Sequence, residues 1–131
     1  MNDFDVIVVG GGNAAFCAAL AARECGSRVL MLERAPLEVS GGNSRYTAGA
    51  FRFAYEGVEH IRELCPELTR EQLDITDFGT YSTDQFFDDM YRLTCFRTDP
   101  DLCETLVTQS RETMMWLQKN GIRFMPIYGR Q

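Results

Sequence analysis

Three consecutive glycines and one later acid carry the most specific chemistry in this 131-residue chain. Glycine fills positions 10–12, and Glu33 lies 23 positions after the first of these glycines. Bare backbone at such a turn lets a phosphate approach closely, and a carboxylate about 20 residues further on can accept hydrogen bonds from ribose hydroxyls. The same carboxylate would repel a 2′-phosphate, which argues against NADP. The spacing is therefore typical of a site for the pyrophosphate and ribose of a dinucleotide.

The elements around these residues fit that chemistry. The β-branched run Val6–Val9 predicts a buried parallel strand, and Val29–Leu32 predicts a second one. Between them, Asn13–Cys25 predicts an Ala-rich helix, with Ala15 at the third small position of the Gly-x-Gly-x-x-Gly/Ala pattern. The N-terminus of that helix would offer unpaired N–H groups and a partial positive charge to a pyrophosphate. A turn that uses glycine for packing alone is disfavoured, because all four surrounding features stand where the motif requires them.

A second glycine-rich stretch covers Ser40–Ala50. Gly41 and Gly42 can adopt positive φ, and Asn43 and Ser44 supply short polar side chains and N–H groups. Such a loop could form a second anion-binding nest. It could equally be a flexible surface loop, and composition alone leaves these two interpretations level.

Composition and charge exclude several classes of protein. The net charge of −6 argues against a nucleic-acid partner. No apolar run reaches the 18 or more residues of a membrane span, and the acidic N-terminal stretch does not resemble a secretory signal, so we expect a cytoplasmic protein. Five cysteines without a Cys-x-x-Cys pair, and a single histidine, predict neither a disulfide framework nor a metal site.

The region 56–120 is predicted to be a helical segment. Val58–Leu64 predicts a short helix, and Thr69-x-x-Gln72 and Ser82-x-x-Gln85 have the form of capping boxes. Asp99-Pro100 predicts the start of one long helix that ends at Asn120-Gly121. Its apolar face is predicted to contain Leu102, Leu106, Val107, Ser110, Met114 and Leu117.

Two short strands are predicted outside the glycine-loop region. Phe51–Tyr55 alternates apolar and polar residues, and Ile122–Ile127 reads as a strand interrupted by Pro126. The predicted fold class is therefore α/β, with one Rossmann-like βαβ unit that is incomplete and is followed by several helices.

Taken together, these residues resemble the FAD-dependent fumarate reductase/succinate dehydrogenase flavoprotein superfamily, and within it the tricarballylate dehydrogenase-like proteins. The two glycine loops in combination are more specific than either alone, and they favour a functional second loop. The segments that carry the resemblance are Val6–Ala22, Val29–Pro36, Gly41-Gly42-Asn43-Ser44, Thr98–Leu102, Trp116-Leu117 and Gly121–Phe124.

The resemblance implies an FAD site. The pyrophosphate would lie near the first glycine loop, the adenosine ribose on Glu33, and the second loop would run along the pyrophosphate towards the isoalloxazine. No histidine lies between Ser40 and Ala50, so we expect a non-covalent flavin. The implied cofactor-binding residues are Gly10, Gly11, Gly12, Asn13, Ala14, Ala15, Glu33, Arg34, Gly41, Gly42, Asn43, Ser44, Thr47, Ala48 and Gly49.

The resemblance also implies an oxidoreductase that acts on the CH–CH bond of a small carboxylic acid, with tricarballylate converted to cis-aconitate. Hydride would pass between the substrate carbon and flavin N5, and an iron–sulfur membrane protein would reoxidise the flavin. No catalytic residue can be mapped onto this chain. The alternatives are a fumarate reductase, a cobalamin-biosynthesis flavoprotein, a 3-ketosteroid dehydrogenase-like enzyme, or a non-catalytic nucleotide-binding fragment.

The expected domain organisation follows from the resemblance. Residues 1–131 would form the N-terminal part of an FAD-binding domain, with the glycine loop at 5–34, the second flavin loop at 40–50 and the helical segment at 56–120. A substrate or capping domain would be absent or truncated.

Overall fold

The computed structural model describes residues 3–127; Met1, Asn2 and residues 128–131, the two ends of the predicted 1–131 domain, lie outside the described residues. The chain divides into two units, residues 1–50 and residues 51–131. Across residues 3–127, each helix is too short or too polar to span a lipid bilayer.

The first unit is a βαβ element. Strands β1 (Val6–Val9) and β2 (Val29–Leu32) pair in parallel over their full length, and helix α1 (Asn13–Glu24) connects them. α1 packs against both strands, and Val8 and Ala19 are buried. The two predicted strands and the predicted helix are confirmed, as is the α/β fold class with a short parallel sheet.

Within the first unit, α1 covers one face of this sheet. Side chains alternate between the faces of a strand, so Val8 is buried while its neighbours Ile7 and Val9 are 59% and 82% exposed. At the start of the strands, the Asp5 carboxylate accepts a hydrogen bond from the Arg28 backbone N–H at 2.8 Å and from the Arg28 guanidinium. This pair fixes the amino ends of the two strands side by side.

The regular structure described in the second unit is helical. The helices are α2 (Val58–Leu64), α3 (Arg70–Asp74), α4 (Thr83–Leu93), α5 (Pro100–Thr108) and α6 (Ser110–Lys119). α4 packs against α5, α5 against α6, and α2 against α6. Two buried clusters form its core: Leu64, Cys65 and Met114, and Phe86, Cys103 and Val107.

Side chains cap three of these helices as the sequence predicts. The Thr69 hydroxyl accepts from the Gln72 backbone N–H, the Ser82 hydroxyl accepts from that of Gln85, and each glutamine side chain reaches back to the capping residue. Asp99 accepts from the first backbone N–H groups of α5, and proline follows it. Each cap satisfies N–H donors that the helix itself leaves unpaired.

The prediction of one long helix after Asp99 is wrong, because the chain breaks at Gln109. The hydroxyl of the buried Ser110 donates to the Val107 carbonyl at 2.8 Å and accepts from the Ala54 N–H at 3.0 Å. A serine hydroxyl that bonds to a helix carbonyl often bends the helix. At Gln109 the backbone leaves helical geometry, with a φ of −97° and a ψ of 2°, so α5 ends at Thr108 and α6 begins at Ser110.

The predicted apolar face of this region is also wrong in part. Leu102 and Leu106 are 71% and 49% exposed, whereas Cys103 and Val107 are 1% exposed. Cys103, which the prediction omitted, begins the stripe that actually faces the core. This stripe continues at helical spacing through Val107, Ser110 and Met114.

The two short strands predicted in the second unit are wrong. Within the part of the chain that the structure describes, Tyr55 is the one residue of Phe51–Tyr55 that pairs with another backbone segment, at Tyr81. The Ala54 N–H donates to the Ser110 hydroxyl instead. Ile122–Ile127 is irregular throughout. Its first N–H donates back to the Leu117 carbonyl, in the Schellman-type end of α6 formed around Gly121.

Candidate functional site

The first glycine turn lies at the carboxyl ends of the two parallel strands. The Gly10 N–H donates to the Leu32 carbonyl at 2.7 Å, so the turn leaves β1 directly beside the end of β2. Gly10 has a φ of 121°, a backbone conformation that residues with a side chain rarely adopt. Ligands of open α/β sheets bind outside this end of the strands.

Helix α1 begins at this turn without a capping side chain of its own. Gly12 occupies the N-cap position, and the first turn contains no acid. The first backbone bond of the helix runs from the Phe16 N–H to the Gly12 carbonyl. The N–H groups of Ala14 and Ala15 make no hydrogen bond with any of residues 3–127, so they remain available to an anion.

The second glycine loop meets the first one at this helix start. The Asn13 N–H donates to the Ser44 hydroxyl at 3.0 Å. A Cβ built on Gly12 would lie 3.4 Å from this hydroxyl oxygen and 3.5 Å from the Gly41 carbonyl oxygen. The bare backbone of Gly12 therefore faces the second loop.

Glu33 lies directly after β2 and folds back over the first turn. Its Oε1 accepts from the Ala35 N–H at 2.6 Å. Its Oε2 stands 2.7 Å from the point where a Cβ of Gly11 would be. The carboxylate is thus at the glycine turn, with its side chain exposed and able to accept from ribose hydroxyls.

Local hydrogen bonds hold the remainder of the second loop. A 3₁₀ helix spans Gly42–Tyr46, and the Thr47 hydroxyl donates to the Ser44 carbonyl at 3.0 Å and accepts from the Gly49 N–H at 3.3 Å. Ala48 and Gly49 both have positive φ, 54° and 70°. A non-glycine residue such as Ala48 stores backbone strain in this conformation.

The structure brings together only some of the fifteen predicted cofactor residues. The group around the α1 N-terminus contains Gly10, Gly11, Gly12, Asn13, Ala14, Ala15, Glu33, Gly41 and Ser44. The other predicted cofactor residues are exposed, and none of the contacts described above between the first turn, Glu33 and the second loop involves them: Arg34, Gly42, Asn43, Thr47, Ala48 and Gly49. Arg52, which follows the loop in sequence, belongs to the second unit and bonds to Tyr81 and Asp89.

These groups fit a dinucleotide. A pyrophosphate suits the helix dipole and the two N–H groups that have no partner in the described part of the chain. The nearby Glu33 carboxylate suits ribose hydroxyls, and the turn beside it consists of three glycines, which carry no side chain. Within residues 3–127, no group of three or more His, Cys, Asp or Glu side chains could hold a metal ion.

Comparison with known proteins decides which dinucleotide. The family model of the FAD binding domain matches residues 5–130. The chain belongs to the FAD binding domain family. FAD is therefore the cofactor of this domain, and the resemblance to the flavoprotein superfamily is confirmed at this level.

Curated relatives of this FAD-binding chain are much longer proteins. It is 30% identical over 117 residues to a fumarate reductase (cytochrome) of Shewanella frigidimarina, and the matched region covers 89% of this chain and 18% of the relative. It is 26% identical over 125 residues to a vinyl phenol reductase of Lactiplantibacillus plantarum, covering 94% and 21%. A urocanate reductase of Eggerthella lenta is 45% identical over 49 residues, covering 37% and 8%. The chain thus spans about a fifth of the first two relatives.

Two contacts of the FAD-binding chain escaped the sequence prediction. The Asn13–Ser44 hydrogen bond joins residues 31 positions apart, and no local pattern in the sequence signals it. The close approach of Glu33 to Gly11 was also missed. One sequence signal was available: position 11 is the variable position between the first two glycines of the Gly-x-Gly-x-x-Gly/Ala pattern, and here it too is glycine.

Proposed function

We propose that this chain holds FAD in an oxidoreductase that acts on the CH–CH bond of a carboxylic acid. The observation that carries the proposal is the junction of two glycine loops at the start of α1. There Ser44 accepts from Asn13, and among residues 3–127 the next two N–H groups have no hydrogen-bond partner. The family supplies the cofactor, and the reductases among the relatives support the class of reaction.

Each part of the site would make one contact with the cofactor. The Ala14 and Ala15 N–H groups would donate to the pyrophosphate, and Glu33 would accept from the adenosine ribose. The second loop, Gly41–Gly49, would lie along the pyrophosphate towards the isoalloxazine. Bound FAD supplies the acceptor and donor of hydride. The absence of histidine from Ser40–Ala50 supports a non-covalent flavin, which acid precipitation would release into the supernatant.

The substrate proposal is tricarballylate, which would be desaturated to cis-aconitate. The relatives support the bond type, since fumarate, vinyl phenol and urocanate each contain a carbon–carbon double bond. The resemblance to tricarballylate dehydrogenase-like proteins supports the choice of acid, and with it an iron–sulfur membrane protein as electron acceptor. Fumarate reduction is the second candidate, because the Shewanella relatives are named as fumarate reductases.

The test is the visible spectrum of the purified protein under anaerobic conditions. We expect flavin absorption bands that bleach on addition of tricarballylate. Citrate is the matched control, because a hydroxyl replaces the hydrogen on its central carbon and the same desaturation cannot occur. If tricarballylate leaves the bands unchanged but fumarate reoxidises the chemically reduced protein, the second candidate is correct. A protein that neither contains nor takes up flavin contradicts the proposal.

A further inference from the structure

The Glu33 carboxylate occupies the space that a side chain at position 11 would need. A Cβ built on Gly11 would lie 2.7 Å from Oε2 and 3.4 Å from both Cγ and Cδ of Glu33. Real Cβ atoms essentially never approach another heavy atom within 3.0 Å. The carboxylate is held there by the Ala35 N–H, which donates to Oε1 at 2.6 Å.

Backbone conformation does not explain the glycine at position 11. Gly10 needs to be glycine for its φ of 121°, but Gly11 is not among the residues of positive φ. Gly12, with a φ of −89°, would meet only ordinary contacts if it carried a Cβ. Among the three glycines, therefore, Gly11 is the one whose missing side chain makes room for Glu33.

We infer that Gly11 is a positioning residue for Glu33, and that it sets the affinity for the adenosine ribose of the cofactor. The inference rests on the proposed function, in which Glu33 accepts from the ribose hydroxyls. A side chain at position 11 displaces the carboxylate from the turn, because the end of a flexible side chain moves more easily than backbone. The Glu33–Ala35 hydrogen bond is then broken while the fold is retained.

The binding test is a double-mutant cycle with Gly11→Ala and Glu33→Ala. The probe is ADP-ribose, which carries the adenosine ribose and pyrophosphate but no flavin, and its Kd is measured by calorimetry. Loss of charge-assisted hydrogen bonds predicts that Glu33→Ala alone weakens binding by about 10- to 100-fold. Gly11→Ala should weaken binding in the presence of Glu33 and change it less than about twofold in the Glu33→Ala background.

The cycle separates failure of the inference from failure of the proposed function. If Glu33→Ala weakens binding but Gly11→Ala costs the same factor in both backgrounds, the positioning role is wrong and the ribose contact stands. If Glu33→Ala leaves the Kd unchanged, the ribose contact is wrong and the inference falls with it.

A cofactor-free measurement tests the displacement itself. In the apoprotein, the exchange rate of the Ala35 amide hydrogen, measured by NMR, should rise in Gly11→Ala, because the hydrogen bond to Oε1 is lost. The urea unfolding midpoint should not fall, since no left-handed φ is violated. An unchanged Ala35 exchange rate would show that the carboxylate has not moved, and would overturn the inference.

Discussion

Ser44 caps helix α1 from the second glycine loop: its hydroxyl accepts the Asn13 N–H at 3.0 Å across 31 residues of sequence. The N-cap residue of α1 is Gly12, whose side-chain hydrogen cannot accept a hydrogen bond. The Ser44 hydroxyl therefore accepts from one of the backbone N–H groups that have no partner within the helix. It also fixes the second loop against the first.

Replacing Ser44 by alanine should weaken FAD binding and loosen the first unit. A lost N-cap costs about 0.5–2 kcal/mol of helix stability, and the second loop loses its anchor on α1. We expect a higher Kd for FAD, measured by flavin fluorescence, and faster hydrogen exchange of the α1 amides in the apoprotein. Ser44→Thr, which keeps the hydroxyl, should restore most of both properties.

Ser40→Ala is the matched control for Ser44→Ala. The Ser40 hydroxyl donates only to the local carbonyl of Leu37, at 3.1 Å, among the described hydrogen bonds. Its loss should leave α1 exchange at the wild-type rate. Equal effects of the two alanine variants on α1 would mean that the Ser44 hydroxyl does not act as the cap.

Gly10→Ala should destabilise the apoprotein, in contrast to Gly11→Ala. At a φ of 121° the chain is in a region that alanine adopts only with strain, and such strain costs about 1–3 kcal/mol. Space is not the cause, because the nearest atom to a Cβ there is the Ala15 Cβ at 3.7 Å. Hydrogen exchange of the α1 and β1 amides should accelerate. If these amides exchange at the wild-type rate in Gly10→Ala, the turn accepts alanine without loss of stability and the prediction is wrong.

Local sequence rules predicted the elements that depend on neighbouring residues. The strand–turn–helix–strand order of the first unit and the caps at Thr69, Ser82 and Asp99 each follow from a few adjacent residue types, and each was confirmed. The glycine loops were likewise found from local spacing. What spacing could not show was that the loops touch, because that contact depends on where the chain returns after β2.

The sequence predictions failed where a distant partner decides the outcome. The Ser110 hydroxyl, next to the break between α5 and α6, accepts from the Ala54 N–H, 56 residues away. The same bond removes an N–H from the predicted strand at 51–55. Helical spacing placed Leu102 and Leu106 on the predicted apolar face, but spacing does not show which face meets the neighbouring helices, and the buried stripe begins at Cys103.

The carboxylate of Asp89 should make the stability of the second unit depend on acidic pH. It accepts from Arg92 at 2.6 Å, from the Tyr81 hydroxyl at 2.8 Å and from Arg52 at 2.9 Å. The Arg92 guanidinium, followed by the Tyr81 hydroxyl, holds the pKa of Asp89 below its usual value. The stabilisation is therefore complete above the unfolded-state pKa of about 4 and is lost as the pH falls through the lower folded-state pKa.

Asp89→Asn tests this pH dependence. Urea unfolding followed by the fluorescence of Trp116, the single tryptophan, should show a lower midpoint than wild type at pH 7. The difference should shrink as the pH falls below about 4. Asp88→Asn, an exposed neighbour on the same helix, is the control and should change little. A midpoint difference that stays constant from neutral to acidic pH would rule out the carboxylate as its source.

Phe86 should be one of the most costly positions in the second unit to truncate. Its side chain is 3% exposed, packs with Cys103 and Val107, and places its ring 5.4 Å from that of Tyr81. Phe86→Ala removes this buried area and leaves a cavity between α4 and α5, which costs about 3–5 kcal/mol.

Leu93→Ala on the same helix is the control for Phe86→Ala, because Leu93 is 65% exposed and its truncation should change stability by about 0.5 kcal/mol or less. Urea unfolding followed by Trp116 fluorescence measures both variants. Because Trp116 lies in α6, a large loss in Phe86→Ala would also show that α4, α5 and α6 unfold together. Similar small losses in the two variants would mean that the cluster around Phe86 is not the core that holds these helices.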